Sequence, residues 1–222
     1  MIQIKIYPVT MLATNCCYLV DEATGKSAVT DPGAKSDKLI AQIEKDGGKL
    51  EYVILTHGHY DHILYARQLA ERFGAKVVTG KYCDPFLSDA DLNGTERHML
   101  REFQPFHADI LLEDGEQFML GETEITYLYT PGHTSGCGVY LFDDIMISGD
   151  TLFCESYGRT DLPSGDVSKM IQSLKRLKEL DGDYQVIPGH GPMTTLSHER
   201  RFNPLMRRLW YESLRQEQYL LV

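Results

Sequence analysis

Residues 56–62 read Thr-His-Gly-His-Tyr-Asp-His, directly behind the apolar run Tyr52-Val53-Ile54-Leu55. Three histidines and an aspartate within six residues have no use in a packed core, because imidazole and carboxylate are costly to bury unless something pairs with them. A metal ion pairs with all four. His57 and His59 stand two apart, so on extended chain their rings point the same way. Asp61 and His62 follow where the chain is expected to turn into a helix, and they approach from another direction. One short segment therefore supplies either two adjacent metals, or one metal and the groups around it.

The pattern around this loop is an alternation of strands and helices. Residues 2–7, 16–20 and 27–30 read as strands, the last broken sharply by Asp31-Pro32-Gly33. A helix is expected at about 36–46, with Leu39, Ile40 and Ile43 on one face and Gly47-Gly48 ending it. The apolar strand 51–55 delivers the histidine loop. A helix from Asp61 to Phe73 with Gly74 at its end follows, then a strand at 76–79. Residues 82–108 are broken by Pro85, Gly94 and Pro105, leaving only a short helix near Thr95–Glu102. The second half opens with strands at 110–112, 117–120, 125–129, 138–142 and 145–148. A helix at about 167–180, a strand at 185–187 and a last helix starting at Asn203-Pro204 and running to about Gln216 complete it. Each half runs strands first and then helix-and-strand alternation. This predicts two mixed sheets packed face to face with helices outside, in one domain spanning 1–222.

Every further candidate ligand lies just past a predicted strand. His133 follows Tyr129, Asp150 follows Ser148, and His190 follows Ile187, as His57 and His59 follow Leu55. Donors at strand ends converge at one edge of a sandwich, where a rigid sheet fixes them. Glycine stands beside nearly all of them, as Gly58, Gly132, Gly149, Gly189 and Gly191, and lets backbone approach a ligand closely. The remaining histidines, His98, His107 and His198, lack such context and read as surface or capping residues.

Composition then narrows the partners. A formal charge of −10 over 222 residues opposes nucleic acid and anionic membrane surfaces. No apolar stretch approaches the ~20 residues that span a bilayer, and the N-terminus alternates like a strand rather than carrying a signal peptide's apolar region. Cys16, Cys17, Cys83, Cys137 and Cys154 are odd in number and form no Cys-x-x-Cys pair. They read as free thiols in a reducing compartment, with the cytoplasm the expected location.

Taken together, Thr56-His57-x-His59-x-Asp61-His62, Pro131-Gly132-His133-Thr134, Ser148-Gly149-Asp150-Thr151 and Pro188-Gly189-His190-Gly191, in this order, resemble the metallo-β-lactamase superfamily. Thr30-Asp31-Pro32-Gly33 fits that family's turn upstream of the first metal loop. The resemblance implies an α/β (α+β) fold, a four-layer αββα sandwich of two mixed sheets flanked by helices, with a dinuclear site at one edge. It assigns His57, His59 and His133 to the first metal, and Asp61, His62 and His190 to the second, with Asp150 bridging. Asp31 either braces the ligand loop, as in the family, or bonds N–H groups of its own turn. Nitrogen and carboxylate donors without thiolate suit Zn²⁺ and admit Fe or Mn. Cys137 and Cys154 stand at no family ligand position and read as structural.

Two metals holding a water between them supply a nucleophile at neutral pH, with Asp61 and Asp150 as the catalytic carboxylates. A departing thiolate or alkoxide needs no protonation, whereas an amine does, which favours thioesters and esters over lactams. Within the superfamily, Tyr157-Gly158-Arg159-Thr160-Asp161-Leu162, Gly189–Thr195 and Glu199–Pro204 look most like the compact bacterial subgroup of glyoxalase II-like hydrolases. The implied reaction is hydrolysis of S-D-lactoylglutathione or another acylated small thiol, without an obligatory protein partner. Tyr157 and Arg159 are the candidate substrate contacts, although Arg159 has Asp161 and Asp166 nearby as alternative partners. One departure stands out: full-length glyoxalase II carries a C-terminal helical domain, and here a single helix is expected after His190. The competing readings are a mononuclear iron persulfide dioxygenase, using two histidines and an aspartate, a lactonase or β-lactamase, and a metal-binding module without activity.

Overall fold

The structure, a computed structural model, describes residues 1–207. Its first sheet holds β1 (Ile2–Val9), β2 (Thr14–Asp21), β3 (Ser27–Thr30), β4 (Leu50–Leu55), β5 (Lys76–Gly80) and β6 (Ile110–Leu112), side by side in that order. β1 to β3 pair antiparallel and β3 to β6 parallel. The connections carry α1 (Asp37–Lys45), then α2 (Tyr60–Ile63) and α3 (Ala66–Phe73), and finally α4 (Ala90–Asn93). The second half contributes β7 (Gln117–Leu120), β8 (Thr123–Tyr129), β9 (Gly138–Phe142) and β10 (Ile145–Gly149). A small hairpin of β11 (Leu152–Phe153) and β12 (Ser156–Tyr157) comes next, then α5 (Val167–Lys178), β13 (Gln185–Pro188), β14 (Thr194–Thr195) and α6 (Leu196–Phe202). The second sheet is ordered β14-β13-β10-β9-β8-β7.

Three apolar layers explain the stacking. Alternate residues of a strand face opposite sides, so Cys17 and Leu19 of β2 point to the middle layer while Cys16 and Tyr18 point outward. The middle layer is filled from both sheets, with Ile54 and Val78 meeting Tyr127, Tyr140, Ile147 and Ile187. Outside the first sheet pack Leu39 and Ile43 of α1 and Leu69 of α3. Outside the second pack Met170, Leu174 and Leu177 of α5 and Leu196 of α6. This is the αββα sandwich. Buried Asp21, at the end of β2, ties the two sheets together: it accepts from Glu122 N and Thr123 Oγ1 on the β7–β8 turn as well as from Thr24.

Four local expectations need correction. The helix expected over 61–73 is interrupted at Leu64-Tyr65, because Tyr65 N–H donates to Pro32 O (3.0 Å) instead of continuing the ladder. The loop that supplies Pro32 lies directly on this turn; a Cβ on Gly33 would overlap the Asp61 carbonyl. Residues 95–102 form separate turns rather than a helix. Met99 there is exposed and left-handed, so the segment has no face to bury. The β11–β12 hairpin, β14 and α6 were not foreseen. The single helix expected after His190 becomes α6 plus a helical turn at 204–207, which Asn203 caps by accepting from Leu205 N and Met206 N. The expected continuation to Gln216 lies outside the described residues.

Candidate metal centre

The parallel strand β4 sits in the middle of the first sheet and ends at Leu55, which points its continuation at the edge where β10 and β13 of the second sheet also end. His57, His59, Asp61 and His62 come from the β4–α2 segment, His133 from the loop after β8, Asp150 from the end of β10, and His190 from the end of β13. All are buried except His190, which is one-quarter exposed. Donor atoms converge within 4.8 Å in three overlapping trios: His57, His59 and His133; His57, His62 and Asp150; Asp61, His62 and His190. The donors expected from the strand ends are therefore brought together.

The outer ring nitrogens explain how each imidazole is aimed. His133 Nδ1 lies 2.8 Å from Arg159 O, and His190 Nδ1 lies 3.0 Å from Leu12 O. A carbonyl only accepts, so both rings carry a proton on Nδ1 and turn Nε2 inward. Asp31 organises two more. Its Oδ1 accepts from Thr56 N (2.8 Å) and its Oδ2 from Thr56 Oγ1 (2.7 Å), while Thr56 Oγ1 lies 3.2 Å from His57 Nδ1. The same Oδ2 is 3.0 Å from His62 Nδ1. Asp31 therefore reaches 25 residues along the chain to the ligand loop, not to the N–H groups of its own turn. Such outer partners set ring tautomer and orientation at metal sites.

What faces inward is unsatisfied in a way that suits cations. His57 Nε2 and Asp150 Oδ1 are buried with no hydrogen-bond partner. His59 Nδ1 and His133 Nε2 face each other at 2.8 Å. Burial, and then the neighbouring imidazoles, push His57 well below its ordinary value and His59 down to about 3, so these rings are neutral ligands. On the other side, burial disfavours a charge on His62, but Asp61, Asp31 and Asp150 outweigh it and raise the ring to about 10. Asp61 itself is held below the usual carboxylate range; burial opposes its ionisation, and His62 and His190 overcome it. Neutral nitrogens on one side and a crowd of carboxylates on the other fit two divalent ions.

Close backbone approach completes the cradle. A Cβ at Gly189 would overlap Asp150 Oδ1 and crowd His62 Cε1. Gly189→Ala is expected to cut bound metal by about tenfold or more in affinity while the sandwich still folds, since the methyl meets donor atoms and no core layer. Elemental analysis beside circular dichroism reads the two effects separately.

Residues 12–190 match the family model of the metallo-beta-lactamase superfamily. The chain belongs to that superfamily. It is 34% identical over 207 residues to the Haemophilus influenzae protein named hydroxyacylglutathione hydrolase GloC, covering 91% of this chain and 97% of that protein. Among solved structures, the protein described as BLEG-1 B3 metallo-beta-lactamase superposes with a TM-score of 0.85 at 30% identity, covering 92% of this chain and 99% of that one. TTHA1623, solved in a di-iron-bound form, does so with a TM-score of 0.75 at 32% identity, covering 90% and 99%.

On this metallo-beta-lactamase scaffold the trios form the floor of a cleft of about 400 Å³. Leu12, Tyr60, Arg97, His98, Leu162 and Pro163 contribute to its walls. His98, expected as a surface or capping residue, is exposed, and its ring leans on Tyr60 at the cleft wall with centroids 4.4 Å apart. Arg159 does line the cleft, yet its guanidinium is held in a bidentate pair with Asp161 at 2.7 Å. Tyr157 is a correction: it belongs to β12, packs against the layer under α5, and is absent from the cleft wall. Sequence reading missed Arg97 because it lies between turns without periodicity; its charge in an otherwise acidic chain was the available signal. All five cysteines are free, and four are buried. Cys137 positions the Pro-Gly-His-Thr loop by accepting from Thr134 N and contacting Thr134 Oγ1. Cys154 lies near His198 and Glu199, where Glu199 is already satisfied by Glu155 N, Thr194 Oγ1 and Asn203 Nδ2.

Proposed function

We propose that this member of the metallo-hydrolase superfamily is a dinuclear thioesterase acting on S-D-lactoylglutathione or a closely related acyl thiol. The observation that carries this reading is the full second donor set, Asp61, His62 and His190, gathered against the first, with Asp150 between them. A mononuclear oxygenase using two histidines and an aspartate would leave several of these converging donors without an ion. Likeness to a hydroxyacylglutathione hydrolase over nine-tenths of the chain supports the acyl thiol as substrate.

In this reading His57, His59 and His133 hold one ion, Asp61, His62 and His190 the other, and Asp150 joins them. Bound zinc, or iron or manganese in its place, supplies Lewis acidity toward the carbonyl and a water acidic enough to be deprotonated at neutral pH. The chain's residues do the rest. Asp61 Oδ2 takes a weak hydrogen bond from Thr14 Oγ1 (3.3 Å) and lies 3.2 Å from His190 Nε2, so it is fixed to orient a nucleophile's proton. Leu12, Leu162 and Pro163 give the cleft wall apolar surface beside the reacting carbonyl. No cleft residue is required as an acid, because a thiolate leaves unprotonated. Five cysteines held as thiols fit a reducing compartment, and we place the enzyme in the cytoplasm. Among the described residues no helix is long and apolar enough to cross a membrane.

The test is release of free thiol from S-D-lactoylglutathione by metal-loaded enzyme. A kcat/KM of at least about 10⁴ M⁻¹s⁻¹ is expected, abolished by a chelator and restored by metal. Absence of turnover with loaded enzyme, together with opening of a β-lactam or a lactone, or oxygen uptake with a persulfide, refutes the reading.

A further inference from the structure

Among the described residues, the cleft wall carries an arginine with no ion-pair partner. Arg97 and Arg159 both line the cleft above the metal-ligand floor. Arg159 is bound on two nitrogens by Asp161. Arg97 is exposed, and among the described residues no carboxylate stands within ion-pair distance of it. Arg159 is therefore engaged by its neighbour, and Arg97 is the guanidinium left to meet an anion, in a protein whose formal charge is −10. Asp91, at the start of α4, also lines the cleft, so an anion admitted here needs Arg97 to offset that charge.

We propose that Arg97 sets the specificity of the cleft by receiving a carboxylate carried on the thiol portion of the substrate. This deepens the thioesterase reading and rests on it. With the acyl carbonyl over the donor floor, a thiol arm passing the tilted Tyr60–His98 pair reaches Arg97 on the same cleft wall. An exposed guanidinium meeting a carboxylate gains a charge-assisted hydrogen bond, and arginine offers a fork that matches both oxygens. Removing it removes about a factor of ten in affinity. The selected class is therefore acyl esters of acidic thiols, such as cysteine-containing peptides with free carboxylates. Esters of neutral thiols gain nothing from it.

Two measurements on the metal-loaded enzyme test this. Titration calorimetry with S-methylglutathione, which has no thioester to cleave, reads Arg97 without turnover. R97Q is expected to weaken binding about tenfold and R97K much less; equal affinity in wild type and R97Q, or no binding to wild type, overturns the proposal. The second measurement compares D-lactoyl thioesters of glutathione and of neutral N-acetylcysteamine. R97Q is expected to raise KM about tenfold for the glutathione ester alone, with kcat kept. An equal shift for both esters, or for neither, overturns it. If wild type hydrolyses neither ester the thioesterase reading fails, and calorimetry still decides the role of Arg97.

Discussion

Asp150→Asn is expected to lower thioester turnover by about a thousandfold or more and to reduce bound metal below two ions per chain. Asp150 stands where the two halves of the site meet. Its Oδ1 lies 3.5 Å from His62 Nε2, and its Oδ2 lies 3.5 Å from His133 Nε2 and 3.7 Å from His190 Nε2. Oδ1 is buried and has no hydrogen-bond donor of its own, which suits a carboxylate aimed at a cation. The amide keeps the shape but removes the negative charge that offsets two divalent ions. Several kcal/mol of charge stabilisation are at stake, and each 1.36 kcal/mol is tenfold in rate. Thiol release and elemental analysis on the same preparation measure the effect. Activity within tenfold of wild type, with two metals retained, would remove Asp150 from the bridging position.

The second large effect is on the carboxylate that touches no predicted metal. Asp31→Ala takes the acceptor away from Thr56 N and Thr56 Oγ1 and the partner from His62 Nδ1, all of them buried. Each buried donor left unpaired costs about 1–3 kcal/mol, so a loss of about 2–5 kcal/mol in folding stability is expected. Thr56 is also the residue that orients His57, so with the contact to His62 all three trios lose an aiming contact. Loss of such outer partners weakens metal binding by about 10–100-fold. Urea unfolding with and without chelator separates the two consequences. A structural role alone predicts the same destabilisation in both conditions. The bracing role predicts a larger gap in the presence of metal.

Much of this arrangement was legible before any coordinates, and for a physical reason. Imidazole and carboxylate beside glycine at the ends of apolar strands are a costly combination that only a ligand makes useful, so His57, His59, Asp61, His62, His133, Asp150 and His190 announce themselves. Alternation of short apolar strands with amphipathic helices such as α1 and α5 announces the layers. Legibility ends where long-range contacts decide. The break between α2 and α3 is made by Pro32 O, thirty-odd residues upstream of the N–H it captures, and no local propensity encodes it. β11, β12 and β14 are two residues each, too short for any periodicity. Tyr157 reads as a substrate contact beside Arg159 in sequence, but the β11–β12 hairpin turns it to the layer under α5, where it packs half-buried, while Arg159 lies past the end of that strand. Arg97 was overlooked for the converse reason: turns bring it over the cleft although nothing around it in sequence resembles a site.

The claim on which the rest depends is that two metal ions are bound between seven donors. Elemental analysis of protein purified without added metal, read together with thiol release from S-D-lactoylglutathione, tests it most directly. Two ions per chain, zinc or iron, with activity that follows their removal and return, is the predicted result. One iron per chain with oxygen consumption, or full activity without metal, would contradict it.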